Sequence, residues 1–343
     1  MTTLRSPTDL AAAGLIAPTR IAALDAVAAR YAVAVSPDIA ALAAHDAIAR
    51  QFLPSEAELT TRPEEHADPI GDAAHSPVPG IVHRHRDRVL FKAVAACPVY
   101  CRFCFRRETI GPQSESALSP AALDTAFAYI ESHPEIWEVI LTGGDPFILS
   151  PRRAAQITQR LAATGHVKIV RWHTRVPVVD PSRVTDDFVA ALIAPGITPW
   201  VALHANHASE FSPAARRAVT RLIDAGVPLV SQSVLLKGVN DHVEALEALM
   251  RTFIENRIKP YYLHHPDLAP GTSHFRVSIA HGRRLMRDLR ARLSGMALPT
   301  YVLDIPGGHA KVPLLGDDVE DMGEGRWRLR DHAGVWHGYV ESI

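Results

Sequence analysis

All three cysteines of this 343-residue chain fall in one short run, Cys97-Pro-Val-Tyr-Cys101-Arg-Phe-Cys104. Thiols crowded this closely are not a disulfide framework; in a reducing compartment they bind metal or do redox work. Three thiolates on one tight loop can hold three irons of a 4Fe–4S cube and leave the fourth iron open. Zinc is the competing metal, and its fourth ligand would be a histidine such as His83 or His85. A second centre lies near the C-terminus, Asp304-Ile-Pro-Gly-Gly-His-Ala-Lys311. A lysine behind a Gly-rich turn can reach into a pocket and form a Schiff base with an aldehyde cofactor. Lys92, Lys168, Lys237 and Lys259 are the only other lysines, so few positions can supply that amine; Lys237, at the end of a predicted strand, is the rival. A third concentration, His83-Arg84-His85-Arg86-Asp87-Arg88, gathers cations able to clamp a phosphate.

These residues need a scaffold, and the hydrophobic pattern supplies one. Apolar, β-rich runs at 89–94, 137–142, 167–172, 199–204, 228–236 and 259–264 alternate with helical periodicity at 120–132, 151–164, 185–194, 212–225, 241–256 and 279–294. Strand–helix alternation implies parallel strands with crossover helices. Six units fall short of the eight of a closed barrel, so the expected fold is α/β, a partial (β/α)6 TIM-like barrel. Residues 300–305 can add one strand. The cysteine loop follows the first strand and the turn Thr142-Gly143-Gly144-Asp145 follows the second, both at the strand ends where barrels keep their active sites. Paired glycines there let backbone approach a ligand closely.

Ahead of the barrel, residues 1–80 read as a helical extension and connector. Ser6-Pro7-Thr8-Asp9 is a helix start, 20–31 and 37–52 are helical, and the Pro- and acid-rich stretch from 54 to 80 is extended. The barrel proper is expected over 81–299, and a lysine loop with a terminal β-hairpin turning at Ala333-Gly334 over 300–343. A net charge of −1 gives no electrostatic reason to wrap nucleic acid or coat an anionic membrane. No apolar stretch approaches the ~20 residues of a membrane span. The start of the chain has no secretory pattern, and the cytoplasm is the expected location.

The CxxxCxxC loop, with aromatic Phe103 before the last cysteine, resembles that of the radical S-adenosylmethionine enzymes. Further blocks, DPIGD, VPGIVHRHRDRVLFK, EVILTGGDPFILS, VALHANH, SQSVLLKGVND, PYYLHHPDLAPGTSHFRVS and LPTYVLDIPGGHAK, make the chain similar, from about 65 to 315, to the lysine 2,3-aminomutase family, which also uses pyridoxal phosphate. The resemblance implies that Cys97, Cys101 and Cys104 ligate the cluster and that Lys311 carries pyridoxal phosphate, with Arg84, His85 and Arg88 around it. It implies S-adenosylmethionine contacts at Gly143, Gly144, Asp145, His204 and Gln232. It also implies an electron donor such as flavodoxin or ferredoxin, and a homo-oligomer. His85 replaces the Tyr of well-known members, and His309 replaces a Gly.

The same resemblance places the substrate carboxylate on Arg106 and its side-chain ammonium between Asp267 and Asp304. Glutamate 2,3-aminomutases lack acids at those two positions, so the pair favours L-lysine and its product β-lysine. The alternatives are a relative that makes β-lysine for elongation factor P, an enzyme for another amino acid, or a non-catalytic metal-binding protein. The zinc-binding C-terminal cysteines of longer members are missing here, for no cysteine follows Cys104.

Overall fold

The computed structural model describes residues 2–111 and 117–343. Four helices precede the sheet: α1 (Pro7–Ala12), α2 (Ile21–Arg30), α3 (Pro37–Leu42) and α4 (Asp46–Phe52). The Ser6 hydroxyl accepts from Asp9 N and the Asp9 carboxylate accepts from Ser6 N, a reciprocal cap at the expected helix start. The helix expected over 37–52 is two helices. Its break falls at Ala43–His45, where the His45 ring caps the second by accepting from Ala47 N.

Residues 53–80 are not a free connector but a strap docked on the barrel. Its prolines keep it out of long helices, leaving two 3-10 turns, Glu56–Leu59 and Ala73–His75. Three acids pin it to arginines: Glu58 to Arg102 and Arg107, Glu65 to Arg276, and Asp72 to Arg84 and Arg106. The Arg-rich composition finds its use here, since planar guanidiniums pair carboxylates with several hydrogen bonds at once.

The sheet begins with the hairpin β1 (Ile81–His85) and β2 (Arg88–Val94). Strands β3 (Glu138–Gly143), β4 (Ile169–Thr174), β5 (Thr198–His204), β6 (Leu229–Val234), β7 (Ile258–His264) and β8 (Thr300–Asp304) then follow β2 in parallel, and β9 (Lys311–Pro313) returns antiparallel on β8. Between the parallel strands run α5 (Pro120–Glu131), α6 (Pro151–Ala163), the short α7 (Val176–Val179) with α8 (Asp186–Ala191), α9 (Pro213–Asp224), α10 (Val243–Glu255) and α11 (Ile279–Arg292). This is the expected partial barrel, with six helical connections and a seventh parallel strand at 300–304. Among the described residues β1 and β9 remain its two unpaired edges. A separate three-stranded sheet, β10 (Val319–Asp321), β11 (Arg326–Arg330) and β12 (Trp336–Val340), contains the expected terminal hairpin and one strand more.

The two faces of the sheet differ sharply. Val139, Leu141, Val170, Trp172, Val201 and Leu203 point outward into a dry core with Phe127, Leu161, Phe188 and Leu222 of the helices. Each fully buried side chain of this kind contributes ~1.5–3 kcal/mol. Their inward-facing alternates, Lys92, Arg171, His173, His204, Gln232, Tyr262 and His264, are polar and only part-buried. An ordinary barrel fills its interior with branched apolar side chains. This one lines its interior with polar side chains, as a barrel that holds a ligand would.

Candidate active site

The cysteine loop leaves the C-terminal end of β2 and is held from below and behind. Tyr100 N donates to Ala34 O at 3.1 Å and Arg102 N to Gln51 O at 2.8 Å. The side chain of Arg102, 1% exposed, donates to Glu58 at 2.6–3.1 Å and to Ala32 O at 2.7 Å. The helical extension and the strap thus form the seat of the loop.

Cys97, Cys101 and Cys104 are brought together on this loop. Burial pushes all three thiols up, Cys104 to about 11. Such thiols ionise only against positive charge, which the irons of a cluster supply. One cation already faces them: Arg175 Nη1 donates to Cys101 Sγ at 3.0 Å, while Nη2 bonds Gln51 at 2.5 Å and Glu210 at 2.7 Å. Among the described residues no three His, Cys, Asp or Glu side chains converge as ligands of a single ion.

The glycine turn supports the loop. Gly144 N donates to Val94 O at 2.8 Å, and a Cβ on Gly144 would lie 2.2 Å from Ala96 O. The close approach is to the cysteine loop's own backbone. Asp145 caps the same junction, accepting from Phe147 N at 3.0 Å, Thr174 Oγ1 at 2.7 Å and Arg175 N at 2.7 Å. Both of its oxygens thus accept bonds within the fold. His204 and Gln232 sit in register at the ends of β5 and β6. Burial holds His204 neutral, its Nε2 lies 3.2 Å from Asn206 Oδ1, and Phe103 packs 5.6 Å from its ring.

On the opposite wall, Lys311 is the first residue of β9, directly across from Asp304 in the ladder. Its Nζ donates to Asp304, lies 3.3 Å from His264 Nδ1 and sits 5.4 Å from the Tyr262 ring centre. Burial opposes ionisation of Asp304, but Lys311 and His264 overcome it and hold the carboxyl well below its ordinary range. Asp267 faces the same group and behaves oppositely: burial first, then the Asp304 charge, push it up to about 7. Two carboxyls and one ammonium thus lie close together, one acid held ionised and the other held back from ionising.

Arg84 and Arg106 meet on Asp72. Arg106 donates from Nε and Nη2 at 3.1 and 3.0 Å, Arg84 pairs with the second oxygen, and Lys92 lies 3.7 Å away. Burial works against the Asp72 charge, and these three cations keep it ionised. Arg88 does not join them; it begins β2 and bonds Asp87 at 2.8 Å, though its charge acts on His85 and Tyr262. His85 is half-buried, 6.5 Å from His332, and burial with Arg88 and Arg84 lowers it to about 4. His309 stacks on His337 of the terminal hairpin at 4.1 Å.

Sequence reasoning missed Asp72, Lys92, His173, Arg175, Tyr262 and His264. The alternation Arg171, His173, Arg175 against Val170, Trp172, Thr174 was the available signal: one polar face on a strand whose other face is apolar.

Residues 92–250 match the radical SAM superfamily, and residues 286–342 match the family described as lysine-2,3-aminomutase. The L-lysine 2,3-aminomutase of Acetoanaerobium sticklandii is 37% identical over 87% of this chain and 71% of its own. That of Methanococcus maripaludis is 38% identical over 86% and 68%, and the glutamate 2,3-aminomutase of Clostridioides difficile is 35% identical over 86% and 68%. The fold and the cysteine loop define a radical SAM enzyme, and the superfamily implies a 4Fe–4S cluster and S-adenosylmethionine. More narrowly, the chain belongs to the lysine 2,3-aminomutase family, radical SAM isomerases that move an amino group.

Proposed function

We propose that this enzyme interconverts L-lysine and β-lysine, with Lys311 holding pyridoxal phosphate. The observation that carries the reading is Asp304, which already pairs with a primary ammonium, that of Lys311 itself, while Asp267 lies close enough to feel the charges of both. Once the Lys311 amine is committed to the cofactor, Asp304 and Asp267 are left to take another ammonium of the same kind, that of the lysine side chain. Pairing is obligatory there, because an uncompensated buried charge costs several kcal/mol. A carboxylate side chain would meet repulsion from both acids.

The other groups fall into roles around that anchor. Arg106, released from Asp72, pairs with the substrate carboxylate, and its two-pronged geometry fixes the α-carbon. Arg84 and Arg88, with neutral His85, serve the cofactor phosphate and ring. Cys97, Cys101 and Cys104 hold the cluster, and His204 and Gln232 with the Gly143–Gly144 turn border S-adenosylmethionine. When bound, the cluster and S-adenosylmethionine supply a radical that borrows a hydrogen from carbon 3 and returns it, while pyridoxal phosphate carries the nitrogen from carbon 2 to carbon 3. The protein's share is placement, charge complementarity and exclusion of water. A low-potential donor of the flavodoxin or ferredoxin class in the cytoplasm completes the reading.

The test is anaerobic reconstitution with iron, sulfide, pyridoxal phosphate and S-adenosylmethionine, followed by product analysis with lysine, glutamate and alanine. β-Lysine is the expected product. Faster rearrangement of glutamate or alanine would overturn the substrate and leave the reaction type.

A further inference from the structure

Strand β4 and the residue that follows it, Arg175, carry three polar side chains at alternate positions, Arg171, His173 and Arg175. The outer two are engaged: Arg171 pairs with Glu138 at 3.0 Å and Arg175 with Cys101, Gln51 and Glu210. His173 between them has no such ion pair: its Nε2 is buried and has no hydrogen-bond partner, as is also true of Arg171 Nε and Arg175 Nε, whose guanidiniums are nonetheless held by acids. A buried polar nitrogen left unpaired is costly and calls for an explanation. Arg171 and Arg175 each keep an acid partner for their charge, whereas His173 faces the polar barrel interior with no partner among the described residues for its Nε2.

The surroundings specify that partner. Burial, and then the charges of Arg171, Arg106 and Lys311, keep the His173 ring neutral. A neutral imidazole can donate one hydrogen bond but adds no charge, and the positive field around it favours an anionic acceptor. Arg106 and Lys311 both act on the ring. On the reading proposed above, these two groups receive the carboxylate and the amino group of one amino acid, which share a single carbon.

We propose that His173 is a substrate-binding residue whose Nε2–H donates to the α-carboxylate of the amino acid held by Arg106. Arg106 neutralises that carboxylate, and His173 fixes its second direction. The inference rests on the proposed function for the place of the amino acid. The methionyl carboxylate of S-adenosylmethionine is the other source of the same chemistry, and the experiment separates the two.

The holoenzyme, loaded with cluster and pyridoxal phosphate and kept without reductant, is titrated with lysine and with 1,5-diaminopentane, its decarboxylated counterpart, following the pyridoxal absorbance. His173→Leu should weaken lysine about tenfold or more, as for one lost hydrogen bond to a charged group. It should leave 1,5-diaminopentane, S-adenosylmethionine affinity and iron content unchanged. His173→Gln, which keeps a donor, should recover most of the lysine affinity. Equal weakening of the two amines, unchanged lysine affinity, or a loss confined to S-adenosylmethionine would each overturn the assignment. Alanine and ethylamine are run in parallel. If lysine fails to bind the unmodified enzyme while the selective loss appears with alanine, the lysine reading falls and the role of His173 stands.

Discussion

Asp267 has its carboxyl pushed up to about 7 by burial and by Asp304, whereas an unfolded aspartate titrates near 3.9. A raised carboxyl destabilises the fold wherever the unfolded chain would ionise and the folded one resists. The contribution is absent below about pH 4, grows as pH rises, and levels off above the folded value near 7. The penalty is on the order of 4 kcal/mol at pH 8 and nearly vanishes by pH 4. Asp267→Asn removes the titration and keeps the shape. The variant should therefore resist urea better than the unmodified protein at pH 8, by ~2–4 kcal/mol, and match it near pH 4. Lysine should then stabilise the unmodified holoenzyme but not the variant, and its binding below pH 7 should release a proton from Asp267, visible as a buffer-dependent binding enthalpy. A stability difference independent of pH, or a less stable Asp267→Asn at pH 8, would refute the acid-pair argument. Gaining stability while losing turnover is the expected mark of a site strained for function.

Three further outcomes follow from the geometry. Glu58→Gln leaves the buried guanidiniums of Arg102 and Arg107 facing a neutral group, which should cost roughly 3–5 kcal/mol, lower the unfolding midpoint and reduce iron content after reconstitution. Gly144→Ala puts a Cβ 2.2 Å from Ala96 O; the backbone cannot yield cheaply, so the variant should fail to load iron, and normal iron content would refute the contact. Borohydride reduction of the holoenzyme, digestion and mass spectrometry should place the pyridoxyl group on Lys311, and a label on Lys237 would overturn the assignment.

The alternation of β-rich and helical segments made the barrel legible, because each strand buries one face against helices and its apolar period is strong. The segment 81–85 was hidden because its Ile-Val-His-Arg-His pattern faces a polar interior, so it reads as a charged loop although it pairs with β2. Lys311 likewise reads as a loop lysine and is the start of an edge strand. The cysteines, the glycine turn and the lysine loop were visible because their chemistry requires fixed local spacing. Asp72 and His173 were not, since their meaning lies in partners such as Arg106, 34 residues from Asp72 along the chain. The bonds of Asp145 were hidden for a related reason: a carboxylate beside a ligand turn looks free until Thr174 and Arg175 are found bonded to it.

The two sheet edges, β1 and β9, are not joined by a strand. Pro69 to Asp72 lie in the seam instead: Gly307 N donates to Pro69 O at 3.2 Å, and Cβ atoms built on Gly71 and Gly308 would strike Gly307 O at 2.4 Å and Ile70 O at 2.6 Å. Arg84 of β1 reaches the same point, its Cδ 3.1 Å from the Gly308 Cβ position. The wall is therefore continuous without being laddered at this point. Parting it breaks one backbone hydrogen bond and the Asp72 ion pairs, not a run of strand pairs.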